Sequence, residues 1–169
     1  MENQMKQDTL YFAKIRPTAK IPEREEGNAG YDIYADFIDP EITIPAHATR
    51  TIPTGIASAM SKGWYLQVEE RGSTGSKGIK KSAGVIDSSY RGEIFIAITN
   101  ATNETLVISK HVNQTESKDG VLYYPYEKAI AQLVLHKVHN EVQVEEINFN
   151  DLQQFPSTRG AGALGSSGK

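Results

Sequence analysis

The chain reads as an all-β domain on three counts. β-Branched aliphatics dominate it, with 16 Ile and 9 Val against 8 Leu, and their stiff χ1 suits a pleated, half-buried surface. Apolar residues alternate with polar ones in short runs, the period of a strand with one buried face. Turn residues separate those runs closely, with no regular interleaving of helices, which points to a sandwich, barrel or jelly roll.

Along the chain, Asp39-Pro40 opens a strand in which Ile42 and Ile44 face one way. Ile52-Pro53-Thr54-Gly55 and Ser61-Lys62-Gly63 mark the next turns, and Leu66 and Val68 alternate after them. Asp87-Ser88-Ser89 turns the chain into a strand where Ile94, Ile96 and Ile98 alternate with Phe95, Ala97 and Thr99. Asp119-Gly120 marks another turn, residues 130–138 form an apolar run, and Val142 and Val144 alternate with Gln143 and Glu145 as a last strand. Helix is scarce: one short stretch is expected after Ser73, ending near Lys81, and one at 151–154 with Asn150 as N-cap. Residues 157–169 are rich in Gly and Ser and have little apolar surface with which to dock. The expected organisation is therefore a β-domain over 1–156 followed by a glycine-rich arm over 157–169.

Composition narrows the class. A chain of 169 residues is one domain's worth, and a net charge of -3 does not fit general nucleic-acid binding. No apolar run approaches the roughly 20 residues that span a bilayer, so no membrane partner is expected. Cysteine is absent, which excludes disulfides, thiolate metal sites and a cysteine nucleophile. Residues 1–8 are polar and lack the apolar stretch of a signal peptide. The expectation is a soluble, cytoplasmic protein, in which the three Asn-x-Thr sequons at Asn100, Asn103 and Asn113 are incidental.

Four clusters carry residues suited to chemistry. In Ala29-Gly30-Tyr31-Asp32-Ile33-Tyr34-Ala35, Asp32 is either a bend residue in a strand or a site carboxylate. Glu70-Arg71-Gly72-Ser73-Thr74-Gly75 offers an Arg, hydroxyls and flexible backbone N–H groups to an anion, or is a solvated loop. In Gly84-Val85-Ile86-Asp87-Ser88-Ser89-Tyr90-Arg91-Gly92-Glu93-Ile94, Asp87 either caps the turn or stands as a base over a ligand beside an aromatic ring. The tail, 159–169, is not a Walker loop, because five residues separate Gly162 from Gly168 where four are required. Its backbone could instead wrap a polyphosphate. His136 and His139 do not make a zinc site, since a spacing of three along a strand points to opposite faces and no third ligand is near in sequence.

In this order the clusters resemble the trimeric deoxyuridine triphosphatase (dUTPase) family. AGYDIYA resembles its first motif, ERGSTG its second, GVIDSSYRGEI its third, KAIAQLVL (128–135) its fourth and RGAGALGSSG its glycine-rich fifth. The resemblance implies a jelly-roll subunit, a homotrimer with a flexible C-terminal arm, and sites assembled from all three chains. It implies hydrolysis of dUTP to dUMP and pyrophosphate with Mg²⁺ on the triphosphate, which keeps uracil out of DNA and supplies dUMP for dTMP synthesis. Asp87 resembles the base that activates water against the α-phosphorus. Tyr90 resembles the aromatic that packs under deoxyribose and rejects a 2′-hydroxyl, while the backbone from Gly84 through Ile86 to Asp87 resembles the uracil reader. Arg71, Gly72, Ser73, Gln132 and Arg159 resemble phosphate contacts, and Asp32 the residue supporting that Arg and metal-bound water. Leu164, Gly165, Ser166 and Ser167 resemble the lid over the substrate. Two positions depart from the pattern: Leu164 stands where an aromatic commonly stacks on uracil, and Gly72 where the second motif has its first Ser.

The stretch 109–124 is longer than the family's usual turn and is expected to form a protruding hairpin. Insert-bearing relatives occur in phages of Gram-positive hosts, and the likeness implies a second role as protein ligand of a repressor. The rival enzyme reading is a dCTP deaminase of the same fold, against which the Asp87 to Gly92 run speaks.

Overall fold

The structure is a computed structural model in which residues 9–158 and 160 are described; Arg159, Leu164, Gly165, Ser166 and Ser167 lie outside them. The chain divides into two compact units, Met1–Val138 and His139–Lys169.

The first unit is built from strands, as its Ile and Val content predicts. They are β1 (Tyr11–Lys14), β2 (Gly30–Ile33), β3 (Glu41–Ile44), β4 (Thr49–Pro53), β5 (Ile56–Ala59) and β6 (Trp64–Glu69), then a one-turn helix α1 (Gly72–Gly75). There follow β7 (Ile79–Ala83), β8 (Val85–Ile86), β9 (Phe95–Asn100), β10 (Thr105–Ser109), β11 (Glu116–Lys118), β12 (Val121–Pro125) and β13 (Ala131–Lys137). They pair in small sheets ordered β1-β5, β11-β12-β10-β3, β2-β13-β6-β8 and β4-β9-β7. The alternating residues read from the sequence in this unit point inward: Ile42, Ile44, Leu66, Val68, Ile94, Ile96 and Ile98 are buried in one apolar cluster, together with Ile52, Ile56, Leu106 and Leu133. Each such side chain contributes about 1.5–3 kcal/mol relative to exposure.

Three local expectations are corrected. The stretch after Ser73 makes a single turn rather than a helix to Lys81, because Gly72, Gly75 and Gly78 weaken it and Gly78 (φ +74°) ends it; β7 follows directly. The segment with Val142 and Val144 is not a strand: it pairs with nothing among the described residues, and Val144 is 95% exposed. Alternation alone does not stabilise a strand without a neighbour to complete its ladder. In the same second unit the short helix α2 (Phe149–Leu152) begins earlier than expected, with Asn148 rather than Asn150 as N-cap, its Oδ1 accepting from Asp151 N at 3.0 Å.

The stretch 109–124 contains the expected hairpin, β11 antiparallel to β12, closed by Asp119 and Gly120 with φ of +52° and +79°. Positive φ at both turn positions is what a two-residue hairpin loop demands. The hairpin does not simply protrude, however. β12 also pairs in parallel with β10, and Leu122 and Tyr124 are buried in the core, so only β11 stands at the edge.

Asn100, fully buried at the end of β9, holds the β3 end and the 101–104 turn together. Its Nδ2 donates to the carbonyls of Ile44 (3.1 Å) and Glu104 (2.7 Å), and its Oδ1 accepts from Thr102 N (3.1 Å) and Oγ1 (2.8 Å). Asn100→Ala leaves several of these groups unpaired and is expected to destabilise the protein by about 3 kcal/mol. Urea denaturation reads that loss directly.

Candidate active site

One sheet positions every described residue of the expected site. In the order β2-β13-β6-β8, β2 carries Asp32, β13 carries Gln132, β6 runs into Arg71 and α1, and β8 runs into Asp87. Register sets their heights: Gln132 lies opposite both Asp32 and Glu69, whereas Ile86 lies opposite Leu66.

At the Glu69 end, Arg71, Gly72, Ser73, Asp32, Gln132 and Gly30 line a cavity of about 780 Å³ together with Glu23, Arg24, Glu25, Asn28, Ala29 and Tyr34. That size lies within the range of small-molecule sites. Arg71 is the best-fixed group in it. Its Nε meets Asp32 Oδ1 at 2.8 Å, and its backbone N–H donates to the Thr74 hydroxyl at 3.2 Å. Thr74 is fully buried and donates back to the Arg71 carbonyl at 3.0 Å, so the turn of α1 locks the base of the Arg side chain. The guanidinium charge also lies near the buried Tyr124 hydroxyl, which donates to Ala129 O at 2.7 Å. Burial pushes the Tyr124 phenol up, and the neighbouring Arg71 charge pulls the other way.

Gln132 donates from Nε2 to Glu70 O at 2.8 Å, tying β13 to the loop before Arg71. Its Oε1 occupies the space above Gly30, where a Cβ would stand 2.1 Å away. A side chain at Gly30 in the first motif would thus displace the amide of the glutamine from the fourth motif. Arg24 stacks its guanidinium over the Tyr31 ring at 5.0 Å and donates to Asn28 O, which shapes the far wall.

The third cluster runs from beside Val68 toward the other end of β6. The carbonyl of Gly84 accepts from Val68 N at 2.9 Å, and Val85 and Ile86 pair with β6. Asp87 and Tyr90 close a turn, Tyr90 N to Asp87 O at 3.1 Å, that leaves the Asp87 carboxylate exposed and Tyr90 43% exposed. Arg91 braces the turn through the carbonyls of Ser88 (2.6 Å) and Tyr90 (2.9 Å). Antiparallel register continued one residue beyond Ile86 puts Asp87 level with Tyr65. From there to Arg71 is roughly 20 Å at about 3.3 Å per residue. Within one chain Asp32, Arg71, Gly72, Ser73 and Gln132 therefore gather in the cavity, while the third cluster runs away from it along β6, with Gly84 level with Val68, Ile86 with Leu66, and Asp87 and Tyr90 beyond.

A family model described as dUTPase matches residues 17–168. The chain belongs to the dUTPase family. That family consists of enzymes, the dUTP nucleotidohydrolases. Among curated relatives, the deoxyuridine 5'-triphosphate nucleotidohydrolase of Candida albicans is 34% identical over 90% of this chain and 84% of its own length. That of Saccharomyces cerevisiae is 31% identical over 89% and 88%. The fold is shared with the dUTPase of Staphylococcus bacteriophage 80alpha, solved as a mutant with dUpNHpp: TM-score 0.73, 24% identity, covering 96% of this chain and all of the other. It is shared too with a mutant dUTPase of phage phi11 of S. aureus, described with a structural Mg(II) ion: TM-score 0.63, 20% identity, over 85% and 99%. No helix among the described residues is long and apolar enough to cross a membrane.

Sequence reasoning missed several residues. Glu23, Arg24, Glu25 and Asn28 line the cavity, joined by Tyr34, which the first cluster contained without a role, and Tyr124 places its hydroxyl near Arg71. None sits at a spacing that marks a site; they are brought in by the β2–β13 pairing and by the burial of β12. Arg16 and Asp36 were also missed, and Glu93, part of the third cluster, was given no role. Arg16 donates to Asp36 Oδ2 at 2.7 Å and forks onto Glu93 at 2.6 and 3.0 Å. Hydrogen bonding to Arg16 holds the Glu93 carboxyl below the usual range, and Glu93 raises the Arg16 guanidinium further.

Proposed function

We propose that this dUTPase family member hydrolyses dUTP to dUMP and pyrophosphate at sites completed by neighbouring copies of the same chain in a homotrimer. The observation that supports it most is the convergence of Asp32, Arg71, Ser73 and Gln132, from three separated clusters, on one cavity. The second is the separation of Asp87 from Arg71 along β6. A triphosphate held by Arg71 on one copy needs a base and a sugar platform from another, and a symmetric oligomer supplies them.

In this reading Arg71, Ser73 and Gln132, joined by Arg159, hold the phosphates. Asp87 orients and deprotonates the attacking water, Tyr90 excludes a 2′-hydroxyl, and the backbone around Gly84 and Ile86 reads uracil. Leu164, Gly165, Ser166 and Ser167 cover the substrate. The donor set fits Mg²⁺ carried in on the triphosphate. That ion keeps several waters and takes one or two carboxylates, and Asp32 is one carboxylate, already ion-paired and half-exposed at the cavity wall. Bound there, the ion would neutralise phosphate charge for in-line attack. The cavity itself mixes Arg24 and Arg71 with Glu23, Glu25 and Asp32, a wall suited to a magnesium–phosphate complex rather than to a bare anion. Removal of dUTP keeps uracil out of DNA, and the dUMP formed feeds dTMP synthesis in the cytoplasm. For the repressor-binding role, β11 is the surface available, an edge strand with Glu116, Ser117 and Lys118 all exposed.

A pyrophosphate assay across dATP, dCTP, dGTP, dTTP, dUTP and UTP tests the reading. Release of pyrophosphate from dUTP alone, with Mg²⁺ present, is the expected result. Ammonia from dCTP, or equal turnover of UTP, would overturn it.

A further inference from the structure

The Asp87–Tyr90 turn ends on a charge cluster of which only Glu93 falls within a motif. Glu93, three residues past Tyr90, accepts four hydrogen bonds: from Arg16 Nη1 (3.0 Å) and Nη2 (2.6 Å), from Thr54 N (3.1 Å) and from Gly55 N (2.8 Å). Arg16 is itself anchored by Asp36, through Oδ2 at 2.7 Å and the backbone carbonyl at 3.0 Å. The Asp36 side chain is 3% exposed and that of Glu93 15%. Gly55 makes room for this arrangement, since at φ +66° a Cβ there would stand 2.4 Å from Asp36 Oδ2. Tyr126 completes it with a hydroxyl bond to Asp36 Oδ1 at 3.4 Å.

The cluster reaches the turn directly. The Tyr90 hydroxyl donates to the Glu93 carbonyl at 2.9 Å, and the side chain lies so close over Gly92 that a Cβ there would meet the hydroxyl at 2.5 Å and the ring at 2.7 Å. Tyr90 is thus pressed on the two residues that Arg16 fixes through Glu93. We infer that Arg16 is a positioning residue: its forked grip on Glu93 sets the height and tilt of the Tyr90 ring and of the Asp87 carboxylate three residues before it. A planar guanidinium can do this where an ammonium cannot, because two parallel N–H···O bonds define an orientation as well as a distance. This inference rests on the roles proposed for Asp87 and Tyr90.

Comparing Arg16→Gln with the full-length wild-type chain tests it. Three quantities are read: kcat for dUTP, the ratio of kcat/KM for dUTP over UTP, and the inhibition constant of inorganic pyrophosphate. Pyrophosphate probes the Arg71 cavity at the far end of β6. A misplaced base and sugar platform are expected to lower kcat about 10- to 100-fold and to cut dUTP-over-UTP discrimination about tenfold or more. The pyrophosphate constant should stay within about twofold. Arg16→Lys should recover only part of kcat. Unchanged kcat and discrimination in Arg16→Gln would overturn the inference, and so would pyrophosphate affinity falling in step with kcat, which marks general loosening. Should Arg16→Gln not fold, Glu93→Gln carries the same three readings. It is isosteric and keeps an acceptor for Thr54 and Gly55 while losing the charge that orients Arg16. A wild-type chain without dUTP hydrolysis would sink the functional reading itself, whatever the variants do.

Discussion

Asp87→Asn should lower kcat for dUTP by about 10²–10⁴, the usual contribution of a well-placed carboxylate base. Asn keeps the size and the hydrogen-bonding reach of the side chain but cannot take a proton from water. The turn survives the change, because it is closed by the Asp87 carbonyl receiving Tyr90 N and braced by Arg91 from behind. The Asp87 carboxylate itself is exposed and has no hydrogen bond within the described chain that folding depends on. Lost turnover would therefore report chemistry rather than folding. Steady-state kcat, with the affinity of a non-hydrolysable dUTP analogue measured by calorimetry, separates the two: affinity should hold while turnover collapses. A variant within about tenfold of wild-type kcat would remove Asp87 from the base role.

How much of this was legible in the sequence follows from the range of the forces involved. Strand positions in the first unit were readable because each depends on its own alternation and on adjacent turn residues. Ile42 and Ile44, Leu66 and Val68, and Ile96 and Ile98 all went where period two placed them. Val142 and Val144 carry the same pattern and form no strand, since a strand also needs a neighbour, and no local pattern supplies one. The insert was misjudged for a related reason. Its charged first half suggests protrusion, but the parallel pairing of β12 with β10 is a long-range choice made by Leu122 and Tyr124 entering the core.

Residues assigned to the proposed site were likewise visible as short motifs, and the groups that hold them were not. Tyr124 reaches Arg71 from more than fifty positions away, and Arg16 reaches Glu93 across 77. A lone Arg after a strand and a lone Asp between Ala35 and Phe37 look like surface charges until the backbone brings them together. The one sequence-level hint was Asp36 itself, an acid inside an apolar stretch, where burial demands a partner.

The same logic makes Arg71→Lys the second large expected effect. Arg71 serves two partners at once, Asp32 through Nε and the open cavity it faces. A lysine has one nitrogen at the tip of a flexible stem, so it can pair with Asp32 or reach a phosphate, not both in fixed geometry. Removing one preorganised donor from a phosphoryl-transfer site costs about 10²–10³ in rate, and kcat/KM for dUTP should fall by that much. Stability should barely change. The Arg71–Asp32 pair is about a third exposed on both sides, and ion pairs so open to water contribute at most about 1 kcal/mol. Asp32→Asn supplies the control. If Asp32 acts by orienting Arg71, the double variant Arg71→Lys with Asp32→Asn should lose little more than Arg71→Lys alone. Full additivity in kcat/KM would mean that the carboxylate acts on the substrate independently, through a metal-bound water, and the ion pair would then be only a by-product of their closeness.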